Sequence, residues 1–269
     1  MSLIAITGGT GTLGQNLART ALARGHQVRI VSRRSDSIVV KGAVLAVANV
    51  LTGKGLDRAL DGADVVIHAA TSPFRRARVT EIDGTRQVAE SAGRASAHLL
   101  YVSIVGVDRH RFPYYKAKFA AEQILARAKV SYSIARATQF HQLIDAGLGA
   151  PVFPVTANMC FQTIDPAEFA VRLCDLAEFR VPGPAPDFGG PQILSVREMR
   201  SIRKRTLGRA ALLIPVPAIG FLADYDDGLH LAPDHRDGTV TYEQWLETRW
   251  LRTGQPNRDQ RDRRCLRIR

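Results

Sequence analysis

Thr7-Gly8-Gly9-Thr10-Gly11-Thr12-Leu13-Gly14 is the stretch whose reading decides the fold. It follows an apolar run from Leu3 to Thr7 and opens a segment, Thr12 to Arg24, in which Leu13, Leu17, Ala18, Ala21 and Leu22 recur at helical spacing. Strand, glycine turn and helix are predicted in that order. Gly25 ends the helix and Gln27 to Val31 reads as a second strand, which closes a unit of about thirty residues, the size of a βαβ crossover. Further strands are expected at Val44 to Val47, Asp64 to Ala69, Leu99 to Ser103 and Tyr132 to Ala135, with helices around Gly55 to Leu60, Arg78 to Ser96 and Tyr114 to Lys129. Continuous apolar strands alternating with helices imply an α/β fold, a Rossmann-type doubly wound parallel sheet covered on both faces.

Beyond residue 150 the pattern loosens. Pro151 to Phe161 reads as a short strand and loop, and Asp165 to Ala177 as a helix opened by Asp-Pro. A breaker-rich connection from Pro182 to Pro191 precedes a basic helix from Ser195 to Thr206, and a last amphipathic helix covers Thr241 to Leu251. The expected division is a nucleotide-binding domain over 1–150, a small substrate-side lobe over 151–251 built onto it, and a basic, flexible tail over 252–269.

The net charge of +12 raises the question of nucleic acid, because a basic surface attracts phosphates without any sequence signature. From Arg252 to Arg269, however, seven arginines face two aspartates, so the tail alone holds five of the twelve charges. No recognised nucleic-acid module accompanies them, and no specific nucleic-acid partner is expected. Cys160, Cys174 and Cys265 form no close pair and the seven histidines lack ligand spacing, so neither a disulfide framework nor a metal is expected. The N-terminal apolar run ends in glycines after a few residues, too short for a secretory or spanning segment, which points to a cytoplasmic protein without membrane contact.

In context the glycines carry chemistry. Gly9-x-Gly11-x-x-Gly14, or Gly8-x-x-Gly11-x-x-Gly14 in another register, puts a tight turn and close backbone approach where a strand enters a helix. Backbone N–H groups of Gly8, Gly9, Thr10, Gly11, Thr12, Leu13 and Gly14 then face a pyrophosphate, aided by the helix dipole. At the end of the second strand an NAD enzyme needs a carboxylate for the ribose hydroxyls. This chain has Ser32-Arg33-Arg34 instead, two guanidiniums suited to a 2′-phosphate, so NADP(H) is the expected cofactor. Asp36 reads as a loop residue.

Several segments together resemble the extended and atypical short-chain dehydrogenase/reductases, including the NmrA type: Thr7 to Gly14, Gly62 to Ala70, Glu81-Ile-Asp-Gly-Thr-Arg, Leu100-Tyr-Val-Ser, Tyr114 to Lys118 and Arg136-Ala-Thr-Gln-Phe. The resemblance covers roughly the first 140 residues. It implies that Asn49, Val50, Ala69, Ala70 and Thr71 line the adenine and ribose side, with Asn49 where the family usually has aspartate, and that Thr138 to Phe140 lie near the nicotinamide. It also implies that Tyr114 and Lys118, the family's Tyr-x-x-x-Lys pair one helical turn apart, are catalytic. Lys118 would lower the Tyr114 phenol pKa and hold the nicotinamide ribose. Ser103 is the candidate for a hydroxyl that stabilises a developing oxyanion, although Ile104 and Val105 follow where many relatives carry a second hydroxyl residue.

An NADPH-dependent reductase, or NADP-dependent dehydrogenase, of a small carbonyl or alcohol is the leading function, with Tyr114 as proton donor or acceptor. A non-catalytic NADP(H) sensor or accessory protein, and an epimerase or dehydratase, are the alternatives. Phe140, Val152, Phe153, Met159 and Phe161 serve equally as pocket lining or as core. The small-molecule substrate is not legible, and the oligomeric state, a homo-oligomer included, stays open.

Overall fold

A computed structural model describes residues 1–72 and 77–253. The first strand, β1 (Leu3–Thr7), leads through the glycine turn into α1 (Thr12–Ala23), followed by β2 (Gln27–Ser32), β3 (Val44–Val47), α2 (Leu56–Leu60) and β4 (Val65–His68). A π-helical turn, Val79–Asp83, runs into α3 (Gly84–Arg94), and β5 (His98–Ile104), α4 (Pro113–Arg127) and β6 (Tyr132–Ala137) complete the first half. The strands pair in parallel in the order β3-β2-β1-β4-β5-β6, with a short seventh strand described below added beyond β6. The order reverses direction between β1 and β4, so the loops leaving their carboxyl ends diverge to opposite faces and open a crevice.

Strand alternation assigns the layers. Ile4, Ile6, Val65, Ile67, Leu100 and Val102 face one side and pack on α1 and on α6 (Pro166–Phe179). Ala5, Val66, Leu99 and Tyr101 face the other and pack on α2, α3 and α4. Because the central strands β1, β4 and β5 bury both faces, their runs of apolar residues are continuous, as the sequence implies, while β3 at the edge stays partly exposed.

The second half differs in detail from expectation. Residues 141–148 form a helix, α5 (His141–Leu148), that the sequence reading passed over. Pro151 to Phe161 supplies two strands, β7 (Val152–Val155) and β8 (Cys160–Phe161). Inside the breaker-rich connection, β9 (Gly183–Pro184) joins the main sheet beside β6, where an edge position tolerates proline. Next come β10 (Leu194–Ser195), α7 (Val196–Leu207), β11 (Leu212–Pro215), α8 (Phe221–Asp226) and α9 (Tyr242–Thr253). Helix α7 starts as the sequence suggests, with a complete Ser195/Glu198 capping box. Its Met199 joins Ile144, Leu148, Val155, Met159, Phe161, Tyr242 and Leu246 in a third core, against which Phe153 packs. Met159, Phe161 and Phe153 are therefore packing residues, and Val152 is 53% exposed. The expected tail lies, from residue 254 on, outside the described residues. Among the described residues no helix is long and apolar enough to cross a membrane, and no group of His, Cys, Asp or Glu is placed to hold a metal.

Four histidines, His68, His110, His141 and His230, are all but inaccessible. Burial holds the pKa of each down to about 4. They fold neutral, whereas in the unfolded chain they take up protons below about pH 6.5. Stability is therefore full above that pH and is lost as pH falls towards 4, by on the order of 1–2 kcal/mol per histidine at pH 5. Thermal melts at pH 7 and pH 5 should differ by about 10 °C or more in Tm; an unchanged Tm would show that the imidazoles are not held neutral.

Candidate functional site

All strands of the main sheet run in parallel, so the segments after β1, β2, β3 and β4 share its carboxyl edge. The glycine loop is built by contact. Gly8, at φ +73°, brings its backbone so near the end of β4 that a Cβ there would stand 2.7 Å from the Ala69 and Ala70 backbone. A Cβ on Gly14 would strike the Gly8 carbonyl and Gly9, so the third glycine lets α1 start directly above the turn. Gly11 caps α1 without any side-chain hydrogen bond. The first-turn N–H groups of Thr12, Leu13 and Gly14 have no intrahelical acceptor, and Thr10, Gly11 and Thr12 are exposed. Leu13 turns its side chain into the core. These residues fit an anionic diphosphate, which would supply the acceptors that the helix start lacks.

After β2, the Ser32 hydroxyl meets Ser37 Oγ at 2.8 Å and accepts from the Arg34 N–H. Arg33 and Arg34 are exposed. Arg34 is gripped bidentately by Asp36, both contacts being 3.0 Å, while Arg33 has no carboxylate partner among the described residues. Asp36 is thus more than a loop residue: it engages one of the two guanidiniums expected for a 2′-phosphate. After β3, the Asn49 side-chain oxygen accepts from the Leu51 N–H at 2.9 Å, closing a turn, and Val50 packs on the α2/α3 core.

The centre of the site is a hydrogen-bonded chain between β4, the π-turn, β5 and α4. Thr71 Oγ1 donates to Glu81 Oε1 at 2.5 Å and lies 2.6 Å from Tyr114 Oη. A hydroxyl has one proton and an ionised carboxylate only accepts, so the phenol donates to Thr71. Lys118 Nζ stands 3.0 Å from Glu81 Oε2, donates to the Val102 carbonyl at 2.8 Å and sits 4.6 Å above the Tyr101 ring. Tyr101 Oη donates to the same Glu81 oxygen at 3.0 Å. Glu81 and Lys118 are 0% and 3% exposed. Burial alone would raise the Glu81 carboxyl, but Lys118 and the Thr71 hydroxyl hold it below its usual range. In turn, burial pulls the Lys118 ammonium down, but Glu81 together with Tyr101 and Tyr114 outweighs it and holds the group above its ordinary value.

One expectation is corrected, and two more are narrowed. Tyr114 is not a phenol of lowered pKa: burial pushes it up, more than Lys118 pulls it down, and the Glu81 charge adds to the rise. Lys118 spends two of its three donors inside the protein, leaving at most one for a ribose. The Thr71 hydroxyl, expected on the adenosine side, is committed to Tyr114 and Glu81. Ser103 stands apart from this chain. Its hydroxyl donates to Glu122 Oε1 at 2.5 Å, and Glu122 is bound by Arg136 at 2.6 Å, so the proton an oxyanion would need is already given away. Thr138 is buried and accepts from the Gly190 N–H, and Phe140 packs on Phe169.

Sequence reading missed Glu81 as an individual residue, although a signal existed. Glu81, Thr85, Val88, Ala89 and Ala92 recur at helical spacing and are all buried, so the carboxylate lies on the apolar stripe of its helix. The π-helical turn that holds it is a feature frequent at functional sites.

A family model described as NAD(P)H-binding matches residues 8–148. Among curated proteins, the photosystem II assembly factor Ycf39 of Trieres chinensis is 28% identical over 195 residues, covering 66% of this chain and 61% of its own length. The ceramide reductase of Caulobacter vibrioides is 33% identical over 174 residues, 58% of this chain and 54% of its own length. The chain thus spans between half and two thirds of these relatives. Among solved structures, the NADPH-dependent quinone oxidoreductase QOR2 of Escherichia coli, complexed with NADPH, superposes with a TM-score of 0.74 at 16% identity, over 92% of this chain and 99% of its own. Bordetella bronchiseptica WbmG in complex with NAD gives 0.69 at 18% identity, over 94% and 95%. These likenesses are of fold.

Gly14→Ala should force the loop and α1 apart at a cost of about 2–3 kcal/mol, read as a Tm lower by roughly 5–10 °C. A variant melting with the wild type would mean that the loop does not pack this closely.

Proposed function

The chain belongs to the NAD(P)H-binding family, and from that premise we propose that it is an NADP(H)-dependent oxidoreductase acting on the carbonyl or alcohol group of a small organic molecule. The observation that carries the reading is the buried Tyr114 phenol at the carboxyl edge of the sheet, hydrogen-bonded through Thr71 to the Glu81–Lys118 pair. A surface accident of spacing would leave Tyr114 and Lys118 in water. Here both are buried and wired together.

The glycine loop and the start of α1 would hold the diphosphate, and Ser32 with Arg33 and Arg34 the 2′-phosphate. Arg34 must leave Asp36 to take part, and an exposed ion pair screened by water on all sides holds it weakly against a doubly charged phosphate. The bound dinucleotide supplies hydride chemistry; the protein supplies orientation and moves the proton at the Tyr114 hydroxyl.

A second reading has specific support. Relatives named as assembly factors, together with a Ser103 hydroxyl already spent on Glu122, favour an accessory protein that binds NADP(H) without turnover. Both readings demand binding, and they part on consumption of NADPH.

Purified protein mixed with NADPH and a panel of quinones, ketones and aldehydes should oxidise the cofactor, and Tyr114→Phe should lower that rate by about 10²–10⁴-fold while NADPH binding stays within a few-fold. Binding without turnover would select the accessory reading. Arg33→Ala combined with Arg34→Ala should weaken NADPH at least 10-fold and NADH less than 3-fold in fluorescence titration; equal losses would remove the basis for NADP(H).

A further inference from the structure

Resting on the oxidoreductase reading, we propose that Glu81 is the proton terminus of the reaction, exchanging the substrate proton with Tyr114 through the Thr71 hydroxyl. The polarity of the hydrogen bonds leads there. Glu81 Oε2 is saturated by Lys118 and Tyr101, which leaves Oε1 as the oxygen that takes the Thr71 proton. Thr71 then has to accept from Tyr114, at 2.6 Å. The phenol proton is aimed into the protein, and the remaining lone pair of Oη is what an incoming hydroxyl meets.

For alcohol oxidation every bond is accounted for. The substrate O–H bond breaks and its proton passes to Tyr114 Oη; the original phenol proton passes to Thr71 Oγ1; the Thr71 proton passes to Glu81 Oε1. The carbinol C–H bond breaks in the same event, its electron pair leaving as hydride to the oxidised nicotinamide dinucleotide as the electron acceptor, and the C=O bond forms. Carbonyl reduction runs the same route backwards and requires the ionised Glu81 carboxylate to take up a proton first, so that direction is favoured by low pH. No free phenolate forms at any stage, which suits a phenol whose burial disfavours its anion.

The neighbours suit a terminus at Glu81 rather than Lys118. Lys118 is kept charged by Glu81 and does not release a proton near neutrality. Four titratable groups exert charge on or bond to the carboxylate: Lys118 and, through Thr71, Tyr114 from α4, Tyr101 from β5, and His68 from β4. His68 is held neutral by its burial, with Thr7 Oγ1 at 2.6 Å from its Nδ1. Among the described residues the only cation on Glu81 is therefore Lys118, and a carboxylate with a single fixed counter-charge can still accept a proton.

Because Glu81→Gln strands the Lys118 ammonium and threatens the fold, Thr71→Val, at an exposed position, carries the kinetic test. Wild-type oxidation of a secondary alcohol by NADP⁺ should have a kcat flat between pH 6 and 9, since Glu81 is ionised throughout. In Thr71→Val, kcat should fall at least 10-fold and rise with pH, because Tyr114 must then lose its own proton first. KM for NADP⁺ should stay within 2-fold, and Thr71→Ser should restore the flat profile. A readout without turnover is the NMR titration of ¹³Cζ-labelled tyrosine, with Tyr114 assigned through Tyr114→Phe: Glu81→Gln should move its midpoint down by at least one pH unit. A wild-type chain inert towards every alcohol and carbonyl overturns the oxidoreductase reading and this route with it. An active chain in which Thr71→Val keeps the wild-type kcat and profile, or a Tyr114 midpoint unmoved in Glu81→Gln, overturns the route alone.

Discussion

The ion pair between Glu81 and Lys118, 3.0 Å long and closed to water, is the constraint on which the arrangement of the site depends. Stability is a poor explanation for it. Desolvating two charges costs several kcal/mol each, and a well-packed apolar pair in the same space is often as stable or more so. Removing one partner is different, because the orphaned charge costs about 3–5 kcal/mol. The pair thus commits the protein: once Lys118 is buried beneath Tyr114, a carboxylate must face it, and that carboxylate fixes which way every neighbouring hydroxyl points.

The phosphate side rests on a different physical basis. There the groups that would bind are backbone N–H groups, and the glycines matter for the side chains they lack, which let the loop, the end of β4 and the start of α1 approach within contact distance. Such a site is ready before any ligand arrives. The basic loop after β2 is less committed, since Arg34 is held by Asp36 while Arg33 is left facing solvent. On the proposed reading, discrimination between the two dinucleotides would sit on an exposed, salt-sensitive loop, whereas the diphosphate would meet groups fixed by the core.

What could be read in the sequence was local. The glycine turn, the alternation of strands with helices and the Asp-Pro start of α6 are fixed by neighbours within a few positions, and the structure has all three where the spacing puts them. The chain of contacts at the site joins residues 71, 81, 101, 114 and 118, which come together only when β4, β5 and two helices are assembled. Neither the role of Thr71 nor the raised pKa of Tyr114 could be read from spacing, because the first depends on Glu81, ten residues away, and the second mainly on burial that only the assembled fold provides. The same holds for β9, where Pro182-Gly-Pro reads as a breaker run and becomes an edge strand because β6 offers free backbone partners.

Helix α4 shows why the geometry holds. Tyr114, Lys118 and Glu122 lie at successive i, i+4 positions on its buried face, and each is satisfied from a different direction. Tyr114 reaches Thr71 beyond β4, Lys118 reaches Glu81 on the π-turn and the Val102 carbonyl on β5, and Glu122 reaches Ser103 on β5 and Arg136 on β6. Sliding the helix by one residue would break all three sets at once, leaving a buried ammonium and a buried carboxylate unpaired, an error of many kcal/mol. Apolar packing at Ala117, Ala121 and Leu125 tolerates small shifts; the polar stripe does not. The Tyr114 hydroxyl is thereby held against Thr71 and fixed relative to the sheet edge, which is the rigidity that the proposed proton transfer across a 2.6 Å contact would require.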